Sequence, residues 1–557
     1  MTSNIDKFSD HENDFDKLSV KYDKNKLNIS FNRVAFIFFV FVLILIIFSL
    51  KALYLTGKKI PKNDILNLKK EIRGNILDRN NNILAKTLVT RNVGIDPKLV
   101  IDKKKLLINL KLLFPNKDYI QIEKKLNEKN FFYFAEELDP DNFEKLMMLG
   151  DKSLIPENRI TRAYPHKHLF SHIIGQIDNE NNGISGIEKS FDKNLRELNQ
   201  DLKLTVDLNL QYLIRKELIH FQNVFKSIGS TAILMNSQNG EILSLLSIPD
   251  YDLNKRKSLD DKNLINRATK GVYELGSVFK TFTYAAGLKE GVIEPDTEFI
   301  NLEKKIYCSK FPIGEYDEKI PSDLTAEQIL IRSGNIGSIR IAQKIGLDNF
   351  KKFLGDLGLL NTLDFDIEEI GTPLKLNWGK CKLATSAYGH GITTTPLQLA
   401  KGYSIISNGG YDIKPSLILN EKKRDIRYKQ IISEDVSNKV NLALRKIVIK
   451  KEGTASFANI KGYEIAGKTG TAQKSVAGTY SKNKINTFAS VFPASDPKYV
   501  LIVMLDEPKP NKDYIYEYKD GSGWKIKGTQ FNTAGWTAVE VAGKIIEKIG
   551  PILATKY

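Results

Sequence analysis

Hydrophobic and polar positions divide the chain into stretches of different period. Residues 34–50, VAFIFFVFVLILIIFSL, run 17 positions without a charge between Arg33 and Lys51, and Ala52 to Tyr54 extend the run. That length spans a bilayer as a helix. A cleaved signal peptide has a shorter apolar core followed by small residues, whereas SLKALYLTGKK offers only Leu50 and Ala52 at that spacing, so an uncleaved anchor over 34–54 is expected. Residues 1–30 are polar and of mixed charge, which predicts a mobile tail ahead of the anchor, over 1–33. From about residue 55 to 200, short apolar segments alternate with charged and Asn/Gly turns. In RGNILDRNNNILAK, residues 73–86, Ile76, Leu77, Ile83 and Leu84 flank a polar turn, the mark of a hairpin. A second region, 201–557, opens with Leu204 and Val206 at strand spacing. Leu208, Leu210, Leu213 and Ile214 follow at helical spacing. STAILMNSQNGEILSLLSIP, residues 230–249, places two apolar runs around Asn236 to Gly240 and predicts another hairpin. KYVLIVMLDEP reads as a buried strand and TAVEVAGKIIEKIG as a closing helix. Sheet and helices mixed along one long region predict an α+β fold, and no internal repeat is present.

Composition narrows the function class. The chain has 557 residues, 42% hydrophobic and 27% charged, too long for one ordinary core and ordinary for a globular protein. Net charge is +17, carried by 68 Lys and only 15 Arg spread along the chain. A nucleic-acid binder gathers such residues with aromatics in a patch, so the charge reads as a general bias, with attraction to an anionic membrane or cell-wall polymer as a second reading. Cys308 and Cys381 form no CxxC; they allow one disulfide and leave the compartment open. The six histidines are scattered and no HExxH occurs, so no metal is expected. Five Lys or Arg lie within about 20 residues before the anchor and six after it, a balance that leaves orientation undecided.

Candidate chemistry begins in ELGSVFKTFTYAAG, where Ser277 and Lys280 stand three apart in an apolar run. The pattern SxxK alone means little, because it recurs at Ser190/Lys193, Ser481/Lys484, Ser495/Lys498 and Ser522/Lys525. Only at Ser277 does it follow a glycine and open a helix that is apolar nearly all round, which predicts burial. Positions i and i+3 share a face. A buried ammonium without an acceptor tends to lose its proton, and a neutral amine beside a hydroxyl is a base beside a nucleophile. Further along, IRSGNIGS supplies Ser333-Gly334-Asn335 and IAGKTGTAQK supplies Lys468-Thr469-Gly470 and Thr471. SxN occurs elsewhere, but KTG occurs once. The ordered trio, with about 55 and then about 135 residues between members, is the signature of serine β-lactamases and penicillin-binding proteins, with SGN in place of SDN.

With these motifs, residues 34–557 closely resemble the class B penicillin-binding proteins, membrane-anchored peptidoglycan transpeptidases, and among them the division-specific enzyme of Gram-negative bacteria. RGNILDRNNNILA is similar to the family's N-terminal signature RGxIxDRxGxxLA, with Asn81 where glycine is usual. RAYPHKHLFSHIIGQID and GISGIEKSFDKNL, which contains Glu188, match later segments. In INRATKGVYELGSVFK, Leu275 replaces the usual proline. AYGHGITTTPLQLAKGY and TFASVFPASDPKYVLIVMLDEP resemble the division type, although His390 departs from a tyrosine often found there.

The resemblance implies a cytoplasmic tail and an extracytoplasmic body. It further implies an elongated pedestal or dimerisation-type domain over 55–200, a transpeptidase domain of the serine β-lactamase-like fold over 201–557, and no metal or organic cofactor. It implies that Ser277 attacks the bond between the terminal D-alanines of a stem peptide while neutral Lys280 takes its proton. Burial and a positive Lys468 would lower the Lys280 pKa. Ser333 would relay a proton to the leaving group, and Asn335 would hold the substrate amide and Lys280. Lys468, Thr469 and Thr471 would bind the terminal carboxylate beside Gly470, and the backbone N–H groups of Ser277 and Thr471 would hold the oxyanion. Implied partners are stem peptides as donor and amine acceptor, β-lactams as inhibitors, and a membrane glycan polymerase with other division proteins. Residues 505–535 are expected as a long loop near the site. The alternatives weighed are an elongation-type transpeptidase, a β-lactamase or D,D-carboxypeptidase, and a non-catalytic β-lactam sensor or scaffold.

Overall fold

Residues 24–57, 72–255, 261–379, 381–420, 428–476 and 479–556 are described by the computed structural model; most of the expected tail, residues 1–23, and the connection 58–71 lie outside them. Helix α1 (Lys24–Gly57) contains the apolar stretch, and its span Arg33–Tyr54 is long and apolar enough to cross a membrane. None of its apolar window is buried against protein. Phe36, Ile37, Phe38 and Leu53 are each about two-thirds exposed, as a helix whose solvent is lipid presents itself. This segment belongs to a unit separate from the body, which begins at Glu71.

In the body, β1 (Ile76–Leu77) and β2 (Ile83–Ile95) form the expected hairpin, with Ile76 opposite Ala85 and Leu77 opposite Ile83. Its turn holds Asn81 at φ 67°. Glycine adopts that left-handed conformation freely and asparagine tolerates it, which explains how Asn81 stands in the glycine position of the signature. β2 continues into pairing with β3 (Phe132–Leu138) and β4 (Leu154–Ala163), and β5 (Leu202–Lys203) adds to β1 in parallel. Three of the signature segments meet here in one ion cluster. Arg73 and Arg162 both reach Glu188, at 2.8 Å each, and Arg73 also reaches Asp192 at 2.6 Å. The Arg73 and Glu188 side chains are fully buried, so each charge depends on the others for its compensation.

The strand expected around Leu204 and Val206 is shorter than the spacing indicated: it is β5, followed by a single bridge from Leu204 to Ile418. Helix α2 (Leu208–Val224) follows as expected, its N-terminus capped by the Asp207 carboxylate, which accepts from the backbone N–H groups of Asn209 and Leu210. β6 (Gly229–Asn236) and β7 (Ile242–Ile248) form the second hairpin. A small hairpin, β8 (Lys305–Cys308) with β9 (Phe311–Gly314), stands apart from the main sheet. β10 (Ala466–Val476), β11 (Thr479–Phe492) and β12 (Tyr499–Asp506) complete a five-stranded antiparallel sheet in the order β10-β11-β12-β6-β7. Every residue of β7 and β12 is buried, so both faces of those strands are covered. The closing helix, Ala538–Lys556, packs on α2 and on the sheet, and the helix Pro396–Ser407, whose capping box pairs Thr395 with Gln398, packs on the sheet and on the helix Glu434–Ile449.

Cys308 of β8 and Cys381 are joined in a disulfide across 73 residues, with Cα atoms 5.6 Å apart. Residues 505–535 are not one open loop: they hold a short hairpin, Ile515–Glu517 with Lys525–Lys527. Its Tyr516 is fully buried between Phe457 and Trp536. The alternation of aromatic with charged residues masked that small core.

Candidate active site

Ser277 lies in a 3-10 turn, Gly276–Phe279, that leads directly into α3 (Lys280–Lys289). Every residue of α3 except its last is buried, as the apolar pattern predicted. The turn presses against β10. Gly276 has φ +65°, and a Cβ there would lie 2.8 Å from the Thr471 carbonyl oxygen; a Cβ on Gly470 would lie 2.1 Å from the Leu275 carbonyl oxygen. Only glycines let the serine turn and the KTG strand come this close.

The three motifs converge. Lys280 is 1% exposed and Lys468 fully buried. Lys280 Nζ donates to the Ser333 carbonyl at 2.5 Å and to its Oγ at 3.2 Å. Lys468 Nζ donates to the same Oγ at 2.8 Å, and to the Thr469 carbonyl at 3.0 Å. The Ser333 hydroxyl is therefore held between two amines on a residue whose own φ is +58°, a strained conformation of the kind found at functional sites. Burial lowers the Lys280 pKa to about 7, against an opposing pull from Glu315. Burial also pushes Lys468 well down, and the Lys280 charge adds to the effect. Two amines sharing one oxygen in a dry pocket disfavour double protonation, so the neutral form belongs to the pair rather than to Lys280 alone.

Some expected contacts differ. Among the described residues no side-chain hydrogen bond joins Ser277 to Lys280, whose backbone N–H donates to the Ser277 carbonyl; the amine is turned to Ser333. Asn335, first residue of α4 (Asn335–Ile345), donates its side-chain amide to the Gly314 carbonyl at 2.8 Å and makes no bond to Lys280. Lys468 faces Ser333 rather than the open cleft, because it is fully enclosed. Of the KTG strand, Thr469 shares a hydrogen bond with Thr454 at 2.7 Å. The half-buried Thr471 accepts from the Ala534 N–H at 2.9 Å, which brings the end of the 505–535 segment to the site.

Two carboxylates escaped the sequence reading. Glu315 accepts from the backbone N–H groups of Asn335 and Ile336 at 2.7 and 2.9 Å. Glu274, three residues before Ser277, accepts from Gly391 N–H and from Tyr480 O–H, both at 3.0 Å. His390 stacks on Tyr480 with ring centres 4.7 Å apart and Nδ1 3.7 Å from Glu274. Glu274 lies in the ELGSVFK stretch itself, whereas Glu315 lies in no recognisable motif.

A serine at a buried helix start, with two buried lysines and a second serine behind it, is an arrangement suited to serine acyl transfer. The family described as penicillin binding protein transpeptidase domain matches residues 230–522, and the penicillin-binding protein dimerisation domain matches 69–213. The peptidoglycan D,D-transpeptidase FtsI of Buchnera aphidicola subsp. Baizongia pistaciae is 31% identical over 87% of this chain and 92% of its own length. The FtsI of Escherichia coli K12 is 29% identical over 79% and 80%. A probable FtsI of Caulobacter vibrioides is 28% identical over 87% and 82%. The crystal structure of penicillin binding protein 3 from Mycobacterium tuberculosis, complexed with aztreonam, shares the fold with TM-score 0.65 at 22% identity, over 86% of this chain and 96% of that one. The chain belongs to the penicillin-binding protein transpeptidases, as a class B member of the FtsI type. It is a serine-type D,D-transpeptidase of peptidoglycan.

Proposed function

We propose that this enzyme cross-links stem peptides at the division septum, with Ser277 as nucleophile and the Lys280–Ser333–Lys468 cluster as its proton machinery. The observation that carries this reading is the single Ser333 hydroxyl held by both buried amines. In the free enzyme one amine of the pair is neutral. When the donor peptide seats and Lys280 turns from Ser333 to Ser277, it takes the hydroxyl proton as Ser277 attacks the carbonyl carbon. The oxyanion is held by the Ser277 and Thr471 backbone N–H groups. Ser333 passes a proton from the lysine pair to the departing D-alanine nitrogen. An amine of a second stem peptide then attacks the ester, gives up a proton to the same relay, and frees Ser277. Thr471 and Thr469 contact the donor's terminal carboxylate, Lys468 adds its positive charge from behind, and Asn335 meets the substrate amide.

The anchor and the disulfide support a single-pass protein of the inner membrane with its body on the oxidising, extracytoplasmic side. We take residues 55–200 as the pedestal and 201–557 as the transpeptidase domain, working beside a separate glycan polymerase. No glycan-polymerising motif was found in 55–200, which supports that division of labour. The test is release of D-alanine and formation of cross-linked product from nascent peptidoglycan by the full chain. Both are expected from wild type and neither from Ser277→Ala; hydrolysed donor without cross-link would instead support a carboxypeptidase. A fluorescent penicillin that labels the whole cell envelope rather than the septum would overturn the septal assignment.

A further inference from the structure

The hairpin β8–β9 has no part in the main sheet, yet it ends against the active site. Glu315 follows β9 directly, and its two carboxylate oxygens accept from Asn335 N–H (2.7 Å) and Ile336 N–H (2.9 Å), the first two residues of α4. The preceding carbonyl, Gly314, accepts from the Asn335 side chain at 2.8 Å. Two adjacent hairpin residues thus hold the start of α4, the helix that directly follows Ser333 and Gly334. A carboxylate at a helix N-terminus meets unsatisfied N–H donors and the positive end of the helix dipole. The hairpin is in turn fastened, since Cys308 in β8 is bonded to Cys381 at the start of the short helix Lys382–Ser386. Ile313 packs in a small core with Ile336, Ile339 and Ala387.

We infer that Glu315 is a positioning residue of the transpeptidase: carried on a disulfide-fastened hairpin, its carboxylate fixes Ser333 and Asn335 and supplies the negative charge that faces Lys280. The inference rests on the site roles proposed above. The charged groups facing Lys280 are Glu315 from the hairpin and Lys468 from β10. Besides Lys280, Glu315 faces Tyr316, whose hydroxyl donates to the Arg332 carbonyl at 3.0 Å. Glu315 stabilises the protonated form of Lys280 against burial, so removing its charge moves the base toward lower pH.

The test is the rate constant for acylation of the full chain by benzylpenicillin, followed across pH, for wild type, Glu315→Gln and Glu315→Asp, with thermal unfolding as a check that each variant is folded. In Glu315→Gln the plateau rate is expected to fall about tenfold or more as Ser333 and Asn335 lose their fixed place. Its acid-side midpoint is expected to move down by about half a pH unit or more. Glu315→Asp keeps the charge and shortens the reach, so its plateau falls while its midpoint stays near that of wild type. A Glu315→Gln midpoint at the wild-type pH overturns the electrostatic part, whatever its plateau. Dithiothreitol tests the fastening: two thiols of the reductant give two electrons to the Cys308–Cys381 bond, yielding two cysteine thiols and a cyclic disulfide. Reduction is expected to lower the plateau several-fold, and to have no effect on Cys308→Ser; an unchanged rate after reduction overturns the part given to the hairpin. Absence of any adduct on wild-type Ser277 would instead defeat the underlying site reading, an outcome separate from these.

Discussion

The side-chain nitrogen of Lys468 lies 2.8 Å from the hydroxyl oxygen of Ser333, though 135 residues separate them in the chain. Lys468 comes from near the start of the strand β10 and Ser333 from a strained turn before a helix, so the contact exists only in the folded body. It makes Ser333 the junction of the site rather than an accessory to the Ser277/Lys280 pair.

Removing that junction has a defined expectation. Ser333→Ala deletes the acceptor shared by both buried amines, and general acid–base steps of this kind contribute about 10²-fold or more. Acylation by benzylpenicillin is expected to slow by at least that factor, with the protein still folded by circular dichroism.

The pH dependence follows from the lowered Lys280 pKa. A group that must be neutral to accept a proton is active above its pKa and silenced below it. Burial brings Lys280 to about 7, so the acylation rate should rise with pH through about 7 and level off above it. Lys280→Arg, whose guanidinium stays charged, should be inactive at every pH tested. A flat profile in wild type would show that another group takes the proton.

Gly276 tests the close approach of turn and strand. Alanine at φ +65° is strained, and its Cβ would meet the Thr471 carbonyl at 2.8 Å, moving the two N–H groups assigned to the oxyanion. Gly276→Ala should lower acylation by about 10² or more, while binding of the unreacted penicillin changes less, as read from saturation kinetics.

The buried ion cluster in the N-terminal sheet makes a stability prediction independent of catalysis. Arg73→Ala leaves Glu188, fully buried, with Arg162 as its remaining cation. Breaking a buried pair from one side costs about 3–5 kcal/mol. The expected result is a markedly lower Tm by thermal unfolding, with Glu188→Gln also destabilising because it leaves buried Arg162 without its carboxylate.

Much of the site was legible in the sequence because its residues sit in patterns with a physical basis. Ser277 and Lys280 stood out by the apolar helix around them, and Lys468 by a KTG that occurs once and follows the two serine motifs in order. The two hairpins and the buried β12 were visible from alternation and turn residues. What stayed hidden depended on distant pairing. Glu315 sits in FPIGEYDEK, an exposed-looking charged stretch with no period, and its role appears only when β9 is placed against α4. Lys280's partner was missed for a related reason: helical spacing places it beside Ser277, whereas the fold brings the Ser333 carbonyl and hydroxyl to it from 53 residues away. The buried Tyr516 was masked by charged neighbours that point outward from its short hairpin.

The most direct test of the account is intact-protein mass spectrometry of the detergent-solubilised chain with benzylpenicillin, followed over time beside Ser277→Ala. One drug mass is expected on wild type, persisting over hours, and none on the variant. An adduct on folded Ser277→Ala, or none on folded wild type, would contradict it.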